Sequence, residues 1–122
     1  MSGGTPSRRA ARTRGRWAES AAALWLRLKG YRIVARGFSW RGGEIDVIVR
    51  RGRALAFVEV KYRADAGSAA EAITVAKRAR IAGTARAWIA AHPDMAALAL
   101  RFDAVLVTPW RLPVHLVDAW RE

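Results

Sequence analysis

At 122 residues the chain has room for one domain with a real core and not for a second. Its 22 Lys and Arg against 10 Asp and Glu leave a net charge of +12, mostly from Arg, which favours a polyanionic partner such as nucleic acid because guanidinium forks onto phosphate. The absence of cysteine excludes disulfides, thiolate catalysis and cysteine-bound metals, and no apolar run nears the ~20 residues of a membrane span, so a soluble, intracellular protein that does not span a membrane is expected.

Residues 1–14 carry Gly3, Gly4, Thr5, Pro6, Ser7 and four Arg with almost no apolar side chain larger than Ala, and read as a disordered basic arm ahead of a single domain at 15–122. Arg16 to Lys29 reads as a helix closed by Gly30. Two stripes compete on it. Trp17, Ala21, Leu24, Trp25 and Leu28 form one, and Glu19, Ala22, Ala23 and Leu26 form the other on roughly the opposite side. If the second stripe faces the sheet, Glu19 points inward and the Trp17/Leu24/Leu28 stripe stays partly exposed, which suits self-association as a homodimer.

Tyr31 to Phe38 reads as a strand, and Ser39 to Gly43 as a turn rich in breakers. The next two strands, from Gly43 and from Ala54, are joined through Arg50, Arg51, Gly52 and Arg53, a connection short enough to force antiparallel pairing. Ser68 with Glu71 has the spacing of a helix capping box, with the helix running to about Ala91. Its apolar line of Ile73, Ile81, Ala85 and Trp88 is broken by Lys77. Leu100 to Val107 and Leu112 to Val117 read as further strands around a Thr108 to Arg111 turn. The two histidines, His92 and His115, lack a ligand-like spacing and read as structural.

Charge sits where the strand pattern predicts burial. Asp46 lies within Ile45-Asp46-Val47-Ile48-Val49, and Glu59 and Lys61 end the run Leu55-Ala56-Phe57-Val58-Glu59-Val60-Lys61. Side chains alternate along a strand, so Leu55, Phe57, Glu59 and Lys61 share one face, and a two- or four-residue turn brings Asp46 to that face, directly opposite Glu59 or diagonal to it. A buried charge without a partner costs several kcal/mol, which leaves a reactive site, a salt bridge or a metal as explanations.

The order Asp46, Glu59, Lys61 on a hairpin, an acidic residue on the preceding helix and Lys77 on the following one resemble the PD-(D/E)xK nuclease superfamily. Within it the chain is similar to the small YraN-like predicted endonucleases, most specifically along Gly43-Glu44-Ile45-Asp46-Val47-Ile48 and Phe57-Val58-Glu59-Val60-Lys61-Tyr62-Arg63. Supporting matches are Glu19, Ala22, Leu26, Gly30, Tyr31, Ala72, Ile73, Thr74, Lys77, Arg101, Phe102 and Asp103. Three positions depart: Ala18 replaces a usual Gly, Gly37 stands where Asn is common, and Ile45 takes the place of the superfamily's proline before Asp46, where this family habitually has an apolar residue.

The resemblance implies an α/β domain with a restriction endonuclease-like core, a mixed sheet flanked by helices in αβββαβ order with an extra C-terminal strand. It implies Glu19 facing inward, and a Mg²⁺ or Mn²⁺ site on Asp46 and Glu59 with Glu19 acting through water or a second ion. Lys61 would act on the attacking water or offset transition-state charge. Lys77, Arg36, Arg41, Arg63 and Trp40 would contact nucleic acid, DNA more than RNA, with Arg50, Arg51 and Arg53 extending the basic track.

Overall fold

The computed structural model describes residues 8–63 and 74–121. Helix α1 spans Arg8–Leu28, strand β1 Arg32–Trp40, β2 Gly43–Arg51, β3 Ala54–Tyr62, helix α2 Val75–Ala91, β4 Ala99–Val107 and β5 Val114–Trp120. The strands form one sheet in the order β1-β2-β3-β4-β5. All neighbours are antiparallel except β3 and β4, which pair in parallel from Ala54↔Ala99 to Tyr62↔Val107 because α2 carries the chain back across the sheet. The α/β expectation therefore holds as a mixed sheet with helices.

The helix α1 begins at Arg8 rather than Arg16, so the residues from Arg8 to Arg14 form its first turns. Composition had pointed the other way, but Arg and Ala are strong helix formers and Pro6 precedes them. At the other end Gly30 takes φ 92°, and the bonds Gly30 N to Arg27 O (3.0 Å) and Tyr31 N to Leu26 O (3.0 Å) make a Schellman motif. Ala18, Ala22 and Leu26 are buried against Val47, Val49, Ala56, Val58, Val105 and Val107, which settles the competition between stripes. Trp17, Leu24 and Leu28 are left exposed.

Helix α2 covers the other face, burying Ile81, Ala85 and Trp88 against Ile45, Ile48, Leu55 and Phe57. Its N-cap is Thr74, extended at φ −63° and ψ 158°, whose hydroxyl accepts from Lys77 N at 3.2 Å. The proposed capping box at Ser68 and Glu71 lies outside the described residues. Thr74→Ala should lower stability by about 1 kcal/mol, since it strips one orphan N–H of its acceptor, and urea unfolding would register the change. An unchanged midpoint would show that the helix start carries no weight in the fold.

What sets the height of α2 over the sheet is Gly43. A Cβ there would run into Thr84 Oγ1 and come within 2.8 Å of the Arg80 carbonyl oxygen, so only glycine lets β2 and the helix backbone approach this closely. Thr84 is fully buried and its hydroxyl already donates to that same carbonyl at 2.8 Å, so it cannot simply turn away. Gly43→Ala should cost about 2 kcal/mol in equilibrium unfolding. A loss below about 0.5 kcal/mol would mean the helix can lift at no cost.

Candidate functional site

The β1–β2 turn is the pair Arg41 and Gly42, both with positive φ (44° and 80°), and the β2–β3 turn is Gly52 and Arg53 with Gly52 at 60°. The second turn is thus the two-residue alternative. Its register runs from Arg51↔Ala54 to Val47↔Val58, and continuing it sets Asp46 opposite Glu59. The ladder stops one step short, because the Asp46 carboxylate takes over: Oδ2 accepts from Val60 N at 2.8 Å. On the other side of β2, pairing with β1 likewise omits Asp46 between Arg36↔Val47 and Phe38↔Ile45. The facing β1 residue, Gly37, has φ 67°. Gly and Asn both tolerate that left-handed conformation, which gives the Gly37 departure a physical reason.

Asp46 and Glu59 are both buried, 9% and 6% exposed. Burial, then the neighbouring Glu59 charge, push the Asp46 carboxyl up to about 7 against the opposing pull of the Val60 N–H. Glu59 has a cation beside it: Lys77 Nζ lies 2.8 Å from its Oε1. Lys77 is drawn down by burial, but its bond to Glu59 more than offsets this and leaves it above the usual amine range. Lys61 is drawn below that range by burial and by its hydrogen bond to Lys77. Two carboxylates and two amines therefore share one corner, where β2 parts from β3 beneath the first turn of α2.

Glu19, on α1, is near enough to feel the charges around this corner. Burial raises its carboxyl, as do Glu44 and Glu59, while Arg36 lowers it. Among the described residues no three His, Asp or Glu side chains are gathered closely enough to hold a metal by themselves. The donor chemistry still suits a hard cation, since Mg²⁺ is commonly held by one or two carboxylates with waters and substrate phosphate completing its shell. Asp46 and Glu59 are the carboxylates of this corner with that donor chemistry.

The expected basic track divides. Trp40 and Arg41 sit at the β1–β2 turn, at the same end of the sheet as the carboxylates, with the Arg41 guanidinium 4.8 Å from the Trp40 ring centroid. Trp40 is 41% exposed and Arg41 exposed, so this stacked pair faces solvent. Arg36 lies on β1 near Glu19, and Arg63 follows β3 directly, its N–H bonded to Val107 O. Arg50, Arg51 and Arg53 are at the opposite end of the hairpin and have structural partners: Gly52 O, Lys29 O with the Tyr31 ring, and Ala97 O. They do not belong to the corner.

One polar centre was not anticipated. Asp103, fully buried on β4, accepts from Arg101 Nε (2.9 Å) and Nη2 (2.8 Å), from His115 Nε2 (2.7 Å) and from Asp118 N (2.9 Å). Lys29 Nζ bonds His115 Nδ1 at 2.6 Å, tying the end of α1 to β5. Hydrogen bonds from His115 and Arg101 hold Asp103 down at about 2 despite its burial. His115 is thus structural as expected, and so is His92, stacked on Trp88 at 3.9 Å between ring centroids. Arg101 and Asp103 share a strand face, which the sequence displays, but their partners on β5 depend on a turn register it does not.

The fold and this corner define a basic α/β domain with a carboxylate and lysine site on a central hairpin, and no helix among the described residues is long and apolar enough to cross a membrane. The family model for Uncharacterised protein family UPF0102 matches residues 18–107, and the chain belongs to that family, the YraN-like one its residues resemble. It is 53% identical to a UPF0102 protein of Paramagnetospirillum magneticum over 99% of this chain and 98% of the relative. A UPF0102 protein of Methylorubrum extorquens is 58% identical over 93% of this chain and 88% of its own length. One from Methylocella silvestris is 55% identical over 92% and 90%.

Proposed function

We propose that this protein is a divalent-metal-dependent endonuclease with a restriction endonuclease-like core, hydrolysing phosphodiesters of nucleic acid, DNA more than RNA, in the cytoplasm. The observation that carries the reading is the meeting of two buried carboxylates, Asp46 and Glu59, with two lysine amines on a chain of net charge +12. Asp46 and Glu59 would hold Mg²⁺ or Mn²⁺, with Glu19 acting through water. Such an ion offsets charge on phosphate oxygens and acidifies a bound water. Lys61, at the end of β3, would orient the attacking water or neutralise charge on the phosphate as the bond breaks. Arg36, Arg63 and the Trp40–Arg41 pair would position the strand, the ring offering a stacking face and the guanidinium a phosphate contact.

The test is cleavage of labelled single-stranded, branched and duplex DNA, and of RNA, with Mg²⁺ or Mn²⁺ present. The expected result is cutting of at least one class, abolished by EDTA. No cutting of any substrate with either ion would count against the reading.

A second reading is a nucleic-acid-binding module of the same fold that performs no catalysis. The observation favouring it is the Lys77–Glu59 ion pair, which satisfies Glu59 without a metal. It predicts binding whose logarithm falls linearly with that of salt concentration, unaltered by Lys61→Ala and without divalent uptake.

A further inference from the structure

Glu59 is only 7% exposed at its side chain, where a charged carboxylate is costly without a cation beside it. Lys77 supplies it, from the first turn of α2, where the backbone N–H of the same residue is anchored on the Thr74 hydroxyl. The lysine side chain is itself 36% exposed, so the far end of a flexible four-carbon stem holds the ion pair while water lies on its other side. Lys77 also lies next to Lys61, so the group that balances Glu59 neighbours the second amine of the corner.

We propose that Lys77 is a built-in counter-ion that occupies the cation position at Glu59, and that a divalent ion enters by displacing it, freeing the ammonium for a phosphate oxygen of the incoming nucleic acid. This rests on the metal-centre reading above. A dication brings twice the charge to the same oxygens and repels the ammonium, whose exposed side gives it somewhere to go. Exchange of partners also links the two ligands. The metal releases a phosphate-binding amine, and a phosphate that captures the amine vacates the metal position, so each tightens binding of the other by the same factor.

The experiment is calorimetric titration of Mn²⁺ into the metal-free full chain as wild type, Lys77→Met and Lys77→Arg, together with acylation footprinting of Lys77 in the wild type. Lys77→Met, which keeps the stem and removes the charge, should bind Mn²⁺ about tenfold more tightly than wild type, and Lys77→Arg should not. Lys77 acylation should rise when Mn²⁺ saturates the wild type, a readout that stands even where the Met variant does not fold. Equal or weaker Mn²⁺ affinity in Lys77→Met, or unchanged acylation, would overturn it and leave the metal centre standing. Absence of Mn²⁺ uptake in every variant would overturn both.

Discussion

Asp103→Ala should be the most destabilising single substitution away from the hydrophobic core, at about 4 kcal/mol, with Tm lower by about 15 °C. Four donor groups converge on the carboxylate, from Arg101 twice, His115 and Asp118, and its side chain is fully buried. Removing it takes two acceptor contacts from the part-buried Arg101 guanidinium, leaving it the Tyr31 hydroxyl, and takes the acceptor from the Asp118 N–H. It also releases His115 and, through it, Lys29, so β5 loses its bond to the end of α1. Urea and thermal unfolding would show the effect. A loss under about 1 kcal/mol would mean the donors find water and the network is incidental.

The same residue sets an acid limit. Its folded-state carboxyl lies at about 2 against an ordinary 3.8, so the native state holds the charged form more strongly than the unfolded chain does. That stabilisation is complete above the unfolded value and is lost as pH falls from about 4 through about 2, amounting to about 2 kcal/mol. Wild type should therefore lose stability through this window more steeply than Asp103→Asn. Parallel acid titrations of the two would refute the assignment.

Asp46→Asn and Lys61→Ala should each reduce metal-dependent cleavage on the order of a thousandfold while the proteins stay folded. The two variants act differently. Asp46→Asn keeps an acceptor for Val60 N–H, so the fold at the strand divergence survives, but it removes the negative charge a cation needs. It also relieves a crowded corner in which burial and Glu59 push the carboxyl up, so a small gain in stability should accompany the lost activity. Lys61→Ala leaves both carboxylates in place, and Mn²⁺ binding should persist where cutting does not. Loss of metal binding in Lys61→Ala, or retained cleavage in Asp46→Asn, would contradict the assigned roles.

Much of this corner was legible because strand alternation is a short-range rule. Once two runs are joined by two residues, the face of Asp46, Glu59 and Lys61 follows from parity. Lys77 was legible as a break in an apolar line, whereas its bond to Glu59 was not. That bond depends on how closely α2 approaches the sheet, which Gly43 and Thr84 decide across a long sequence separation. The orientation of α1 was ambiguous from its two stripes, since both are apolar enough to bury, and only packing against Val47, Val58 and Val105 distinguishes them. The Arg cluster misled for a related reason. Arg50, Arg51 and Arg53 are near the carboxylates in sequence, yet at ~3.3 Å per residue the length of the hairpin carries them to the other end of the sheet.

The most direct measurement is anomalous diffraction at the manganese edge from crystals of the chain soaked in Mn²⁺. A metal centre predicts a peak about 2 Å from carboxylate oxygens of both Asp46 and Glu59, with Lys77 withdrawn from Glu59. A Lys77–Glu59 pair still intact, with no peak at either carboxylate, would contradict it.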